Sequence, residues 1–210
     1  MKIPLGRRLK RRVHVDVAVL QDELVRLVYE TDGNAVLHGG TAVWRCYGGS
    51  RFSEDLDFYA KGLAGIKDKL ATAGLRADKL KVTENALYSK ITDGTTEVRL
   101  EANMAVRKRG VAVAYENVDG SVTQILTLTP EELLLEKAAA YSNRRLIRDL
   151  YDVNHLGAIA APNASVRKEM RPFAAGIRPP LDEENLKAIV YSGNVPTFTQ
   201  LAEAVRRRWL

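Results

Sequence analysis

The spacing of apolar residues changes twice along the chain, separating a mixed front half from a helical back half. Over residues 16–30, Val17, Leu20, Leu24, Leu27 and Val28 recur at helical intervals, which predicts an amphipathic helix broken by Gly33-Asn34. Ala35-Val36-Leu37 is a short apolar run ended by Gly39-Gly40, the pattern of a buried strand entering a tight turn. Residues 41–47 then read as a helix closed by Gly48-Gly49, residues 56–59 as a strand and residues 63–75 as a helix. From Leu80 the period falls to two. Residues 80–83, 87–92, 97–104, 112–115 and 122–127 alternate apolar and polar side chains between turn signals such as Asp93-Gly94 and Asp119-Gly120, which predicts a mostly antiparallel meander.

A second change comes at Thr129-Pro130-Glu131-Glu132, which joins an N-cap, a proline in the first turn and a capping-box glutamate. Helical patterning continues to about Leu156, and weaker helices are expected near 165–173, 182–191 and 198–208. The expected fold is α/β (α+β). A mixed, twisted sheet with flanking helices fills residues 1–128, and a helical domain fills residues 129–210.

Composition narrows the class. With 46% hydrophobic and 28% charged residues in 210, the chain can fill a real core and is not disordered. The single cysteine, Cys46, excludes an internal disulfide framework and thiolate-rich zinc sites. The start, MKIPLGRRLKRR, lacks the apolar stretch of a signal peptide, and no segment approaches the ~20 apolar residues of a membrane span, so a cytoplasmic protein is expected. The net charge of +6 is clustered at residues 7–12, at Arg107-Lys108-Arg109, at 144–148 and at Arg206-Arg207-Arg208, a distribution that suits a polyanionic partner.

The candidate chemistry lies in residues 38–59, HGGTAVWRCYGGSRFSEDLDFY. Asp55 and Asp57, one residue apart in a strand, share a face, and two adjacent carboxylates repel unless a cation lies between them. Oxygen donors at this spacing suit Mg²⁺, with Mn²⁺ as the alternative. The Gly39-Gly40-Thr41 turn between strand and helix offers backbone N–H groups and a helix N-terminus to a phosphate. Neither a Walker A loop nor a G-x-G-x-x-G fingerprint occurs. On the later strand, Glu97 and Glu101 share a face with Arg99, which by itself reads as a solvent-facing charged ladder.

This segment resembles the nucleotidyltransferase superfamily of DNA polymerase beta type, whose motif is a Gly-Gly/Ser turn followed by D-x-D/E. The longer string GGTAVWRCYGGSRFSEDLDF resembles the AbiEii/AbiGii toxin family within it, and the likeness runs in order over roughly residues 15–157. The resemblance implies a Mg²⁺-dependent transfer of a nucleoside monophosphate from an NTP to an RNA acceptor, with tRNA expected. It also implies a toxin of a type IV toxin–antitoxin system, restrained by a cognate antitoxin. Carried onto this chain, Gly39, Gly40 and Thr41 would hold the triphosphate, Asp55, Asp57 and Glu101 would hold metal and act in catalysis, and Arg51 and Ser53 belong to the same R-x-S-x-D-L-D string.

The family pattern also has a lysine in an apolar helix, then R-x-x-x-K-D-h-x-D with h apolar. Here stand Lys137, Arg144, Arg148, Asp149 and Asp152, with Arg148 replacing the family lysine. If residues 133–153 form one helix, Lys137, Arg144, Arg148 and Asp152 fall within about 80° of one another, opposite Leu135, Leu146, Leu150 and Val153. This stripe is expected to bind nucleotide phosphates, and the helical domain to close the nucleotide cleft. Its plainer reading is a solvated face with i,i+4 pairs Arg145–Asp149 and Arg148–Asp152. His14, His38 and His155 show no metal spacing, although His38 adjoins Gly39, and Cys46 reads as a core residue. Two rival functions remain: transfer to a protein hydroxyl, and a non-catalytic nucleic-acid- or partner-binding relative.

Overall fold

The computed structural model describes residues 3–210. After a single turn, α1 (Leu5–Arg8), the long α2 (Arg12–Thr31) buries Val17, Ala18, Leu20, Leu24, Val25, Leu27 and Val28, the face drawn by its helical spacing. The strand β1 (Val36–His38) runs into α3 (Gly39–Tyr47), so Gly39 and Gly40 already belong to the helix. There follow β2 (Leu56–Tyr59), α4 (Ile66–Thr72), β3 (Arg76–Val82), β4 (Ala86–Thr92), β5 (Glu97–Asn103), β6 (Val111–Glu116) and β7 (Val122–Thr127). The helical back half comprises α5 (Pro130–Arg144), α6 (Ile147–Ile159), α7 (Ala164–Ala175), a 3₁₀ turn (Glu183–Asn185), α8 (Leu186–Ile189) and α9 (Phe198–Trp209).

All seven strands form one mixed sheet in the order β3-β4-β5-β2-β1-β7-β6. The expected meander is therefore divided. β3, β4 and β5 are antiparallel neighbours, as are β6 and β7, but β2 and β1 lie between the two groups. β2 runs parallel to β5, β1 runs parallel to β7, and β1 and β2 are antiparallel to each other. The central pair is deeply buried: Val36, Leu37, Leu56 and Phe58 are all at most 1% exposed. Edge strand β3, mostly exposed and charged, takes the rim, where unpaired backbone is tolerated.

Two units divide the chain, residues 1–46 with 52–128 and residues 47–51 with 129–210. In the first, α2 packs on α4 and β5. In the second, α5 packs on α6 and α7, and α9 on α6 and α7, around Leu133, Leu134, Leu150, Val153, Leu156, Met170 and Trp209. Both full capping boxes sit in this unit, at Thr129/Glu132 and at Thr197/Gln200. No helix among the described residues is long and apolar enough to cross a membrane.

Candidate active site

In the sheet unit, β1 delivers the chain to Gly39, whose φ of +72° lies in the left-handed region. A Cβ on residue 39 would stand 3.0 Å from Asp57 Cγ, so only glycine lets the Asp57 carboxylate rest against the start of α3. The first turn of a helix leaves its N–H groups without intrahelical acceptors, and here those groups belong to Gly39, Gly40 and Thr41. The Thr41 side chain is fully buried and donates to the Asp55 carbonyl at 2.6 Å, so its hydroxyl fixes the acidic loop and its backbone faces the anion-attracting end.

The loop before β2 is held from a second side. Gln21, completely buried on α2, donates through Nε2 to the carbonyls of Ser53 (2.9 Å) and Glu54 (3.0 Å). Three consecutive carbonyls, 53 to 55, are thus pinned by two side chains. β2 begins at Leu56, so Asp55 stands just ahead of the strand, and burial alternates through Tyr59 with Asp55, Asp57 and Tyr59 on the more open face. Gln21 escaped the sequence reading, although a polar residue four positions after Val17 on an otherwise apolar face is a visible signal.

Across the sheet, Asp57 pairs in register with His38 on one side and Glu101 on the other. Arg99 lies beside them, 3.6 Å from Asp55 and 3.9 Å from Glu101. The Glu101 carboxyl is pushed above its ordinary value, first by partial burial and next by the charge of Asp57, with Arg99 opposing and Asp55 adding to the rise. Among the described residues, no three His, Cys, Asp or Glu side chains already form a metal-binding group. The donor chemistry nevertheless fits a divalent cation, because three carboxylates converge on one face and their mutual repulsion is of the kind a hard cation relieves.

The helical unit departs from the single helix expected over 133–153. The α5 helix ends at Arg145, which adopts left-handed angles (φ 51°, ψ 42°), and α6 restarts at Ile147. The cause is tertiary: Asp182 accepts from the Ile147 N–H at 2.7 Å, capping α6, and the Leu181 N–H donates to the Arg145 carbonyl at 2.9 Å. The break turns the polar stripe inward. Lys137, Asp149 and Asp152 are buried, and the expected surface pairs Arg145–Asp149 and Arg148–Asp152 give way to other partners. Arg51, 3% exposed, donates from Nε (2.6 Å) and Nη2 (2.5 Å) to the two oxygens of Asp152. Lys137 Nζ lies 3.1 Å from Asp152 and 3.5 Å from Asp149, and Arg144 binds Asp149 through two bonds of 2.7 and 2.8 Å.

Burial opposes both charges of the central pair, but each is held ionised by its partners. Arg51 is raised by Asp152 and Asp149, and Asp152 is lowered by Arg51 and Lys137. Three cations face two carboxylates. The Arg144 side chain is 46% exposed and Arg148 is half-buried, so these two offer positive charge to solvent, whereas Arg51 and Lys137 do not. Other histidines serve packing: His14 stacks on Phe52, and His155 Nε2 lies 2.8 Å from the Tyr47 carbonyl. Cys46 is mostly buried, its thiol pushed up to about 12 by burial.

With this geometry in place, comparison with known proteins is specific. The family described as "Nucleotidyl transferase AbiEii toxin, Type IV TA system" matches residues 24–191. MenT4, a nucleotidyltransferase toxin of Mycobacterium tuberculosis H37Rv, superposes with a TM-score of 0.67 at 20% identity, over 94% of this chain and 82% of its own. JHP933 from Helicobacter pylori superposes with a TM-score of 0.65 at 19% identity, over 91% of this chain and 89% of its own. No curated protein sequence matches the chain.

Proposed function

The chain belongs to the AbiEii nucleotidyltransferase toxin family of type IV toxin–antitoxin systems, and from that premise we propose that it transfers a nucleoside monophosphate from an NTP to the 3′ end of an RNA, with tRNA as the acceptor, in the cytoplasm. A cognate antitoxin restrains it. The observation that carries the reading is the register of Asp57 with Glu101, beside a glycine-started helix that Asp57 touches.

In this reading the N–H groups of Gly39, Gly40 and Thr41 receive the triphosphate at the positive end of α3. Asp55, Asp57 and Glu101 would hold a divalent cation, which would supply charge neutralisation at the phosphates. Glu101 takes the proton of the acceptor hydroxyl. The hydroxyl oxygen forms a bond to the α-phosphorus, the bond from that phosphorus to the bridging oxygen breaks, and pyrophosphate leaves with the electron pair. Gln21 and Thr41 keep Asp55 in place throughout. In the helical unit, Arg144 and Arg148 are the cations available to phosphates, and the buried set of Arg51, Lys137, Asp149 and Asp152 positions Arg144 through Asp149. Ser53 contributes its carbonyl to the Gln21 clamp.

Incubation of the full chain with each α-labelled NTP, Mg²⁺ and total tRNA should give RNase-sensitive label that D57N does not produce. Label that survives RNase and runs with protein would replace the acceptor with a protein hydroxyl. Full activity in D57N would falsify the carboxylate assignment.

A further inference from the structure

The basic run Arg107-Lys108-Arg109, unused by the carboxylate chemistry, follows β5 in the sheet unit. With Lys61 and Tyr59 it lines an open cavity of about 650 Å³. Lys61, Arg107 and Arg109 are exposed, and Lys108 Nζ lies 5.9 Å from the centroid of the Tyr59 ring. Asp32, the carboxylate in the lining, accepts from the backbone N–H groups of Asn34, Lys61 and Gly62, so its charge is largely satisfied locally. The cavity is therefore cationic with one aromatic ring in its lining.

Tyr59 links this cavity to the carboxylates. It lies two residues beyond Asp57 on the same face of β2, about 7 Å along the strand. Its ring stacks on His38 with centroids 4.1 Å apart and planes at 23°, and His38 is the register partner of Asp57. A path thus runs within one unit from Asp57, over the His38–Tyr59 stack, to four cations.

Resting on the reading of the protein as an RNA-directed nucleotidyltransferase, we propose that this path is the acceptor track. A single-stranded 3′ segment lays its phosphates on Lys61, Arg107, Lys108 and Arg109, stacks a base on the Tyr59 face away from His38 as Lys108 turns from the ring to a phosphate, and presents its terminal hydroxyl at Asp57. Single-stranded nucleic acid is bound by this combination, a cationic groove beside an aromatic platform, whereas an acidic peptide needs only the cations.

Anisotropy of a 5′-labelled tRNA on the full chain tests the track. R107A/K108A/R109A should weaken binding at least tenfold and lower the slope of log affinity against log salt by about two, the contribution of three single-strand phosphate contacts. Y59A should weaken binding, and Y59F, which keeps the ring, should restore it. Unchanged affinity and slope in the triple variant, in a protein whose wild type labels tRNA, overturn the track and leave the transfer reading intact. A wild type that neither binds nor labels tRNA, while labelling a protein, overturns both.

Discussion

Asp57 and Glu101 occupy matched positions on the parallel neighbours β2 and β5, and the charge of the first helps to raise the pKa of the second. The two carboxylates are close enough to repel, and the fold supports them on a face that stays half open. Such a pair is costly to folding and is the kind of arrangement that marks a functional site.

The cost is measurable as stability. A carboxyl with a raised folded pKa favours its protonated form, so the folded state loses stability as pH rises from the ordinary 4.5 through the raised value. E101Q, isosteric and uncharged, should melt above the wild type at pH 7, with the gap closing as pH falls toward 4.5. The same variant should lose about 100-fold or more in transfer rate, the usual range for a general base. R99Q removes the cation that opposes the shift, so in the metal-free protein the Glu101 carboxyl should titrate higher still, as read by side-chain NMR.

Gly39 is constrained twice, by its φ of +72° and by the Asp57 carboxylate against its Cα. G39A must strain the backbone or displace Asp57. A loss of about 1–3 kcal/mol in unfolding free energy is expected, together with loss of Mg-NTP binding by calorimetry. G48A is the control: Gly48 also has positive φ (+70°), but a Cβ there meets nothing within 4 Å, so it should share the strain and keep nucleotide binding.

Much of this was legible in the chain, because strands and caps are local. The alternation over residues 56–59 gave β2 to the residue, and Thr129 to Glu132 marked the start of α5. The strand order was not legible, since nothing local tells β5 to pair with β2 rather than β6. Nor was the break at Arg145, where no glycine or proline warns of it and the cause, Asp182, lies 35 residues from the N–H it caps. One missed break turned part of a stripe inward: Lys137 and Asp152, expected to face a ligand, face each other, while Arg144 and Arg148 keep their exposure.

Asp152 is the anchor of that buried frame, between Arg51 and Lys137. D152N leaves two buried cations with weaker compensation, and removing one member of a buried ion pair typically costs about 3–5 kcal/mol. Its folded pKa is depressed, so its stabilisation is present above 3.8 and is lost as pH falls through the depressed value. Urea unfolding should therefore show a wide gap between wild type and D152N at pH 7 that narrows in acid. Equal stability at pH 7 would show that the frame contributes nothing.

Gln21 lies outside the matched family region yet touches the loop that carries Asp55. Q21L keeps the side chain's approximate size and removes both hydrogen bonds, leaving the carbonyls of Ser53 and Glu54 without this donor. A stability loss of about 1–3 kcal/mol follows from the unsatisfied acceptors. Were Gln21 only a packing residue, the active fraction would turn over normally once folded. As a positioning residue it should instead lower kcat with little change in NTP affinity, because in the proposed site the triphosphate lies on α3 while the displaced group is Asp55. Q21E, which keeps the shape but cannot donate when ionised, should resemble Q21L near neutral pH. Comparing kcat and the NTP dissociation constant for all three proteins decides between packing and positioning.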